Sequence, residues 1–197
     1  IAFFGEFDVS IIDELPKGRL PIQTKIISST EEKKLKPRIL EKIRKNQKLF
    51  VVTPLIQESE SLDEVQSVLH AYEEIQLLYP ELEGKIGLLH GKMKPKEKEE
   101  AMQNFKSGKT MILVATTVIE VGVDVPEATV MIIKNAERFG LAQLHQLRGR
   151  IGRSDLQSYR FLQTPKKSGD SYERLRAMEQ TTDGFKLAEL DLQNRGS

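Results

Sequence analysis

The 197-residue chain contains no cysteine and only three histidines. The lack of cysteine excludes disulfide bonds and thiolate metal sites and fits a reducing compartment, so we expect a cytoplasmic protein. His70, His90 and His145 are dispersed and lack the spacing of a metal site. Long apolar runs are missing too, since stretches such as 111–115 and 130–133 are far too short to cross a bilayer. We therefore expect neither a structural metal nor a membrane partner.

The sequence also lacks a phosphate-binding P-loop. The segment 107–110, Ser-Gly-Lys-Thr, resembles the end of one, but Gln103 and Asn104 stand where its first glycine is required. It also precedes a predicted strand instead of following one, so the helix N-terminus that would bind phosphate is missing. The acidic pairs at 13–14 and 63–64 follow no buried strand, as a magnesium-binding pair should. We therefore expect that this chain alone binds neither ATP nor Mg²⁺.

What is present describes an ordinary globular protein. Hydrophobic residues make up 39% and charged residues 30% of the chain, and the formal net charge is +1. This length allows one large domain or two small ones. Between Arg138 and Arg153 there are four arginines and no acid, so a basic patch exists although the whole chain is almost neutral. The chain starts at Ile1 and stops at Ser197 without a tapering tail, and we expect a fragment of a longer protein.

Short β-branched runs alternate with helical patterns along the chain. The predicted strands span residues 22–27, 49–53, 85–90, 111–116, 129–134 and 158–163. Helices are predicted in the segments that start near Pro37, Ser61, Pro95 and Phe139. This alternation predicts an α/β fold with a parallel sheet and helices on both faces. In such sheets the ligand-binding loops follow the carboxyl ends of the strands.

The pattern divides the chain into three segments. Residues 1–21 are expected to form an extended lead-in, and residues 22–165 the sheet domain. Residues 166–197 are expected to hold a helical hairpin, because Asp170 suits the start of one helix and Asp183 with its following glycine suits the turn into a second. The apolar faces of these helices need a partner, which is either each other or the sheet.

The most informative stretch is 146–153, Gln-Leu-Arg-Gly-Arg-Ile-Gly-Arg, which follows an amphipathic helical run. Arg150 and Arg153 lie three residues apart beside glycines, which let the backbone approach a ligand closely. The planar fork of arginine matches phosphate oxygens, so two such forks suit the stabilisation of charge on a phosphoryl group. The alternative interpretation is a solvated basic turn.

Two motifs together resemble those of superfamily 2 helicases. Residues 115–126 (ATTVIEVGVDVP) resemble motif V and residues 146–153 resemble motif VI, while 139–150 resemble the branch that contains RecG and the transcription-repair coupling factor. Residues 8–19 and 183–196 favour the RecG family. The resemblance covers essentially the whole chain. It implies the second RecA-like domain of a helicase and the start of a helical-hairpin translocation motif, with the first RecA-like domain and a wedge domain upstream.

The resemblance implies half of a nucleotide site. Arg150 and Arg153 match the arginines that reach the ATP phosphates across the cleft between the two RecA-like domains. Gln146 matches a glutamine nearer the nucleotide. Gly122 and Asp124 match motif V positions at the cleft, where an acid can bind a ribose hydroxyl or hold a catalytic arginine. For Asp124 the alternative is an ordinary residue of a strand-end turn.

The resemblance also implies DNA contacts at the strand ends. Thr116 and Thr117 match positions whose hydroxyls and amides touch the DNA backbone independently of its sequence. Accessory DNA-contacting loops are implied at Thr53, Pro54, His90, Gly91 and Lys92. His90 fits a satisfied strand-end histidine equally well. Arg195, at the exit of the hairpin, is expected to contact duplex DNA or the arginine motif, although the glycine-rich continuation of the family is missing after Gly196.

The resemblance implies an ATP-dependent double-stranded DNA translocase that remodels forks and junctions in recombination and repair. ATP and Mg²⁺ would be bound mainly by the first RecA-like domain, so this chain alone is expected to hold no cofactor and to be inactive. Its partners would be duplex and branched DNA and the upstream domains. The alternatives are the motor domain of a transcription-repair coupling factor and a non-catalytic module that binds nucleic acid or protein. A P-loop and an acidic box in the upstream sequence would favour a motor.

Overall fold

The fold is built on a sheet of six parallel strands in the described part of the chain. The computed structural model describes residues 22–54, 61–116, 125, 127–148 and 155–180, with the backbone alone for 61–64 and 148. The strands are β1 (Gln23–Ile27), β2 (Lys48–Thr53), β3 (Ile86–Leu89), β4 (Ile112–Thr116), β5 (Ala128–Ile133) and β6 (Tyr159–Gln163). Their order across the sheet is β1-β6-β5-β2-β4-β3, and all neighbours are parallel. The predicted parallel sheet is confirmed.

The described ranges contain six α-helices. They are α1 (Ser29–Lys34), α2 (Lys36–Arg44), α3 (Ser61–Leu78), α4 (Pro95–Ser107), α5 (Leu141–Arg148) and α6 (Asp170–Gln180). The sequence pattern predicted all of them except α1. That helix begins at a capping box. The Ser28 hydroxyl accepts a hydrogen bond from the Glu31 amide, and the Glu31 carboxylate accepts one from the Ser28 amide. Among these helices, none has the length and apolar character needed to cross a membrane.

Helices cover both faces of the sheet because successive side chains of a strand point to opposite sides. Phe50 and Val52 of β2 pack on the face covered by α4, α5 and α6, which we call the α4–α6 face. Leu49 and Val51 pack on the opposite face, covered by α2 and α3 and called the α2–α3 face. Every residue of β2, β4 and β5 is buried. This is the pattern of central strands enclosed on both sides.

The crossovers between strands change direction when they change face. Helices α2 and α3 carry the chain towards the β3 side of the sheet, whereas α4 and α5 carry it back towards β1 over the other face. Opposite directions on opposite faces give these crossovers one common handedness, as parallel sheets require. Helix α6 then packs beside β1, where the Ile26 amide donates to the Glu179 carboxylate at 2.8 Å. Because the six described strands are parallel, their carboxyl ends lie at one edge of the sheet, which we call the carboxyl edge.

The segment 107–110 ends a helix and does not form a phosphate cradle. Gly108 caps α4 in the left-handed conformation, with φ of 86°, and its amide donates to the Phe105 carbonyl at 3.3 Å. The chain then runs directly into β4. The glycine is therefore required by the helix end, and the structure agrees with the rejection of this segment as a P-loop.

Two predicted segments fall outside the described residues. These are the lead-in, residues 1–21, and the second helix of the hairpin, which was expected between Asp183 and residue 194. The first helix predicted for the hairpin corresponds to α6, and its Leu175 and Met178 are buried in the core on the α4–α6 face of the sheet. The sheet is therefore the partner of the apolar face of this helix.

We predict that Phe105→Ala destabilises the domain by about 3–5 kcal/mol, the cost of emptying a fully buried aromatic site. Phe105 has no exposed surface and meets Phe50 edge to face, with ring centroids 6.2 Å apart. Urea denaturation of the 197-residue chain measures the change in unfolding free energy.

Leu77→Ala is the matched control, because the Leu77 side chain is 83% exposed on α3. It should change the unfolding free energy by less than about 0.5 kcal/mol. Similar losses in the two variants would contradict the arrangement of the core around α4.

Candidate functional site at the carboxyl edge of the sheet

Two threonines end neighbouring central strands at the carboxyl edge. Thr53 ends β2, Thr116 ends β4, and the two are register partners. Both are buried, with exposed fractions of 1% and 2%. The Thr53 hydroxyl donates to the Ala115 carbonyl at 3.4 Å, whereas the Thr116 hydroxyl has no hydrogen-bond partner within the described ranges. Pro54 is buried as well, so the surface of this edge is formed mainly by other residues.

The chain turns sharply where it leaves β5. The Lys134 amide donates to the Val52 carbonyl at 2.8 Å, which extends the pairing between β5 and β2. Asn135 follows in the left-handed region, with φ of 49°, a conformation that asparagine tolerates better than most residues. Its amide donates to the Gln163 side chain at 3.0 Å. These contacts join the carboxyl ends of β2, β5 and β6 into one surface.

An open pocket of about 170 Å³ lies at this surface, between β2, the turn after β5 and helix α3. It is lined by Thr53, Pro54, Ser67, His70, Ala71, Glu74, Lys134, Asn135 and Arg138. The sequence patterns predicted a role for the first two of these residues but none for Lys134 or for the exposed Arg138. Lys134 could have been found in the same way as Thr53, since each is a polar residue that follows the apolar core of a strand.

Lys134 is held by carboxylates from two helices. Its Nζ lies 2.7 and 2.8 Å from the two Glu32 carboxylate oxygens and 3.5 Å from Glu74. Only 11% of the Lys134 side chain and 7% of the Glu32 side chain are exposed. The cation of this turn is therefore neutralised within the chain and connects β5 to the α2–α3 face. Arg138 is left as the exposed cation of the pocket lining.

The loop after β3 is a compact turn that presents a lysine. The Lys92 amide donates to His90 Nδ1 at 3.2 Å, and the His90 amide donates to the Met93 sulfur at 3.3 Å. His90 is thus partly satisfied within its own turn, as the alternative interpretation expected, while the Lys92 side chain is exposed. Because Leu89 pairs with Ala115, His90 lies level with Thr116 on the next strand. Gly91 completes this turn and is half-buried.

Helix α5 presents Gln146 to solvent. Leu141 and Leu144 bury one side of the helix in the core of the α4–α6 face, and His145 and Gln146 are exposed. The Gln143 side chain accepts a hydrogen bond from the Gly140 amide at 3.1 Å and so caps the start of the helix. The helix is described as far as residue 148, two residues before Arg150.

The remaining predicted site residues lie outside the described residues. They are Thr117, Gly122, Asp124, Arg150, Arg153 and Arg195. The structure therefore brings Thr53, Pro54, Thr116 and the 90–92 turn to one edge of the sheet, and Gln146 to an exposed helix on the α4–α6 face. The roles of all these residues stay predictions.

Residues 36–155 match the family described as the helicase conserved C-terminal domain. The chain belongs to this family, and its six-stranded parallel sheet with helices is the RecA-like fold of a helicase C-terminal domain. The predicted fold class and superfamily are therefore confirmed.

Within this family the chain is similar to RecG proteins. It is 48% identical over 196 residues to the ATP-dependent DNA helicase RecG of Staphylococcus aureus, and 50% identical over 197 residues to that of Streptococcus pneumoniae. Each alignment covers 100% of this chain but only 28% and 29%, respectively, of the relative. The chain thus spans less than a third of the length of these relatives.

A solved structure agrees with these sequence relatives. The structure of RecG bound to a three-way DNA junction superimposes with a TM-score of 0.75 and 42% sequence identity. The superposition covers 93% of this chain and 23% of the other. The similarity to RecG thus extends from the sequence to the fold.

We predict that Glu32→Gln destabilises the domain by about 3 kcal/mol, because it leaves the Lys134 cation in a mostly buried position without its main counter-charge. Glu74 remains as a weaker neighbour at 3.5 Å and keeps the loss at the low end of the range for such pairs. Thermal or urea denaturation measures the change.

Glu41→Gln gives the matched control. Glu41 forms an exposed ion pair with Lys45 at 3.6 Å, and removing such a pair costs less than about 1 kcal/mol. If both substitutions had the same small effect, the Lys134 pair would not hold the turn after β5 in place.

Proposed function

We propose that this chain is the second RecA-like motor domain of an ATP-dependent DNA helicase of the RecG type. The observation that carries the proposal is the 48–50% identity to RecG proteins along the whole chain, including both helicase motifs. The complete protein would use ATP hydrolysis to move on double-stranded DNA and to remodel forks and junctions. That a RecG structure contains a three-way DNA junction supports branched DNA as the substrate class.

In this proposal the domain contributes the arginine half of the ATP site. Closure of the two RecA-like domains brings Arg150 and Arg153 to the γ-phosphate, where their fixed charges stabilise the transferred phosphoryl group. Gln146, exposed on α5, binds near the nucleotide, and Gly122 and Asp124 line the cleft. Bound ATP supplies the hydrolysable phosphate bond. The residues of this chain orient that phosphate and neutralise its charge.

The carboxyl edge of the sheet forms the DNA side. Lys92 and Arg138 are exposed there, and Thr53, Pro54, His90, Gly91, Thr116 and Thr117 follow or end the strands. A motor on arbitrary DNA needs contacts with the phosphate backbone, which carries no sequence information. Arg195 would add a contact from the C-terminal hairpin to duplex DNA or to the arginine motif.

The missing parts of the site belong to other segments of the protein. The arginines of motif VI suit phosphate and not Mg²⁺. We therefore assign Mg²⁺ and most ATP contacts to a first RecA-like domain, with a wedge domain for branched DNA also outside this chain. The proposed segments are a lead-in (1–21), the RecA-like domain (22–165) and the hairpin (166–197). As a DNA motor, the protein would act in the cytoplasm.

We predict that Arg150→Ala or Arg153→Ala in the full-length protein lowers DNA-stimulated ATP hydrolysis by roughly a thousandfold, the scale of an arginine finger. DNA affinity should change little, because the arginine forks point at the nucleotide. Steady-state ATPase assays and DNA-binding titrations measure the two effects separately.

Arg44→Ala is the control, because Arg44 is exposed at the end of α2, which covers the opposite α2–α3 face of the sheet, and should keep full activity. The 197-residue chain itself should not hydrolyse ATP above background. An Arg150 variant that lost DNA binding and kept its ATPase rate would identify the arginines as a DNA surface.

We predict that Lys92→Ala in the full-length protein weakens binding equally across DNA sequences. It should also reduce the slope of log affinity against log salt by about one unit, the contribution of one phosphate contact. Binding titrations at several salt concentrations measure this slope.

Lys109→Ala removes an exposed lysine at the opposite, amino edge of the sheet and should leave the slope unchanged. An unchanged slope for Lys92→Ala as well would make Lys92 an ordinary solvated charge.

A further inference from the structure

A fully buried arginine on β6 contacts the helix that leads into the arginine motif. Arg160 has no exposed surface, although it carries a permanent charge. Its Nη1 donates to the Leu144 carbonyl of α5 at 2.8 Å. Leu144 lies two residues before Gln146 and six before Arg150. The contact therefore joins the centre of the domain to the segment proposed to meet the nucleotide.

The surroundings of Arg160 make packing alone a poor explanation for it. The residue lies on the strand next to the edge strand β1, and its register partners are Thr24 of β1 and Met131 of β5. Leu162, two positions along the same strand, packs in the apolar core of the α4–α6 face with Leu144. An apolar side chain of similar volume could fill such a position without the cost of removing a charge from water.

The Arg160 hydrogen bond is made to a backbone carbonyl of α5, one turn or less from Gln146. In an α-helix the carbonyl of residue 144 accepts the amide of residue 148, and a carbonyl oxygen has room for a second donor. Arg160 adds this second bond halfway along the described part of α5. Unlike apolar contacts, a charged hydrogen bond has a defined length and direction, so it fixes how far α5 can slide or rotate on β6.

We propose that Arg160 is a positioning residue for nucleotide hydrolysis: it sets the height and rotation of α5 on the sheet, and through them the position of Gln146 and of the arginines that follow. This inference rests on the proposed function. It adds a residue from β6, which contacts neither ATP nor DNA, to the determinants of the catalytic rate.

The test is Arg160→Met in the full-length protein, with kinetics and stability measured side by side. Methionine keeps most of the volume and removes the donor, and the melting temperature shows the range in which the variant is folded. The kcat of DNA-stimulated ATP hydrolysis should fall ten- to a hundredfold, the scale expected when catalytic groups are displaced by about 1 Å. DNA affinity should not change. Arg160→Lys, which keeps a charge and a donor, should recover part of the loss.

Phe161→Leu is the matched control, because Phe161 is equally buried on the next position of β6 but packs on the opposite α2–α3 face. It should lower the melting temperature and keep kcat at temperatures where the variant is folded. Wild-type kcat in folded Arg160→Met would overturn the inference. A loss of kcat that follows melting temperature equally in both variants would overturn it too.

The positioning role of Arg160 and the proposed function can be contradicted by different results. If the full-length protein hydrolyses ATP with DNA and Arg150→Ala abolishes this, a silent Arg160→Met overturns only the positioning role. If the full-length protein shows no DNA-dependent hydrolysis at all, the proposed function is wrong and the positioning role is wrong with it.

Discussion

Burial of the central strands on both faces determines where this domain can meet a ligand. Because β2, β4 and β5 are enclosed between α2–α3 and α4–α6, their side chains are committed to two apolar cores. Their accessible parts are the strand ends, and the parallel direction of all six described strands places their carboxyl ends at one edge of the sheet. The Lys92 turn, the Lys134 turn and the pocket beside α3 occur together there for this reason. This edge of the sheet is the surface that we propose for contacts with the DNA backbone.

Charged hydrogen bonds fix the position of helices and turns relative to the strands, which apolar packing leaves adjustable. Lys134 connects the end of β5 to Glu32 and Glu74 on one face, and Arg160 connects β6 to α5 on the other. Apolar packing tolerates small shifts of a helix along a sheet, whereas a charged hydrogen bond requires one separation and one direction. The turn after β5 and the middle of α5 are therefore more closely specified than burial alone would make them.

Local patterns in the sequence predicted most of this fold. Each strand was predicted within a residue of its bounds, since β-branched runs ending in polar residues are short-range signals. Helix α1 was missed because its sequence is almost entirely polar. The order of the strands, the ion pair between residues 32 and 134, and the contact of Arg160 with Leu144 depend on the tertiary arrangement, which periodicity does not encode. The arginine motif was recognised from its chemistry, whereas Arg160, the strand residue that contacts the helix leading into this motif, was not.

The pairing of β1 with β6 has a mechanical consequence. These strands are the first and last along the described part of the chain, and they run parallel over five register pairs from Gln23–Tyr159 to Ile27–Gln163. A pull on residue 22 at the lower end of β1 and on residue 164 at the upper end of β6 slides the two strands against each other. All the hydrogen bonds between them then bear the load together, whereas a zipper geometry would break them one after another. A domain joined to its neighbours through these two points can transmit tension along its sheet without unravelling from either end.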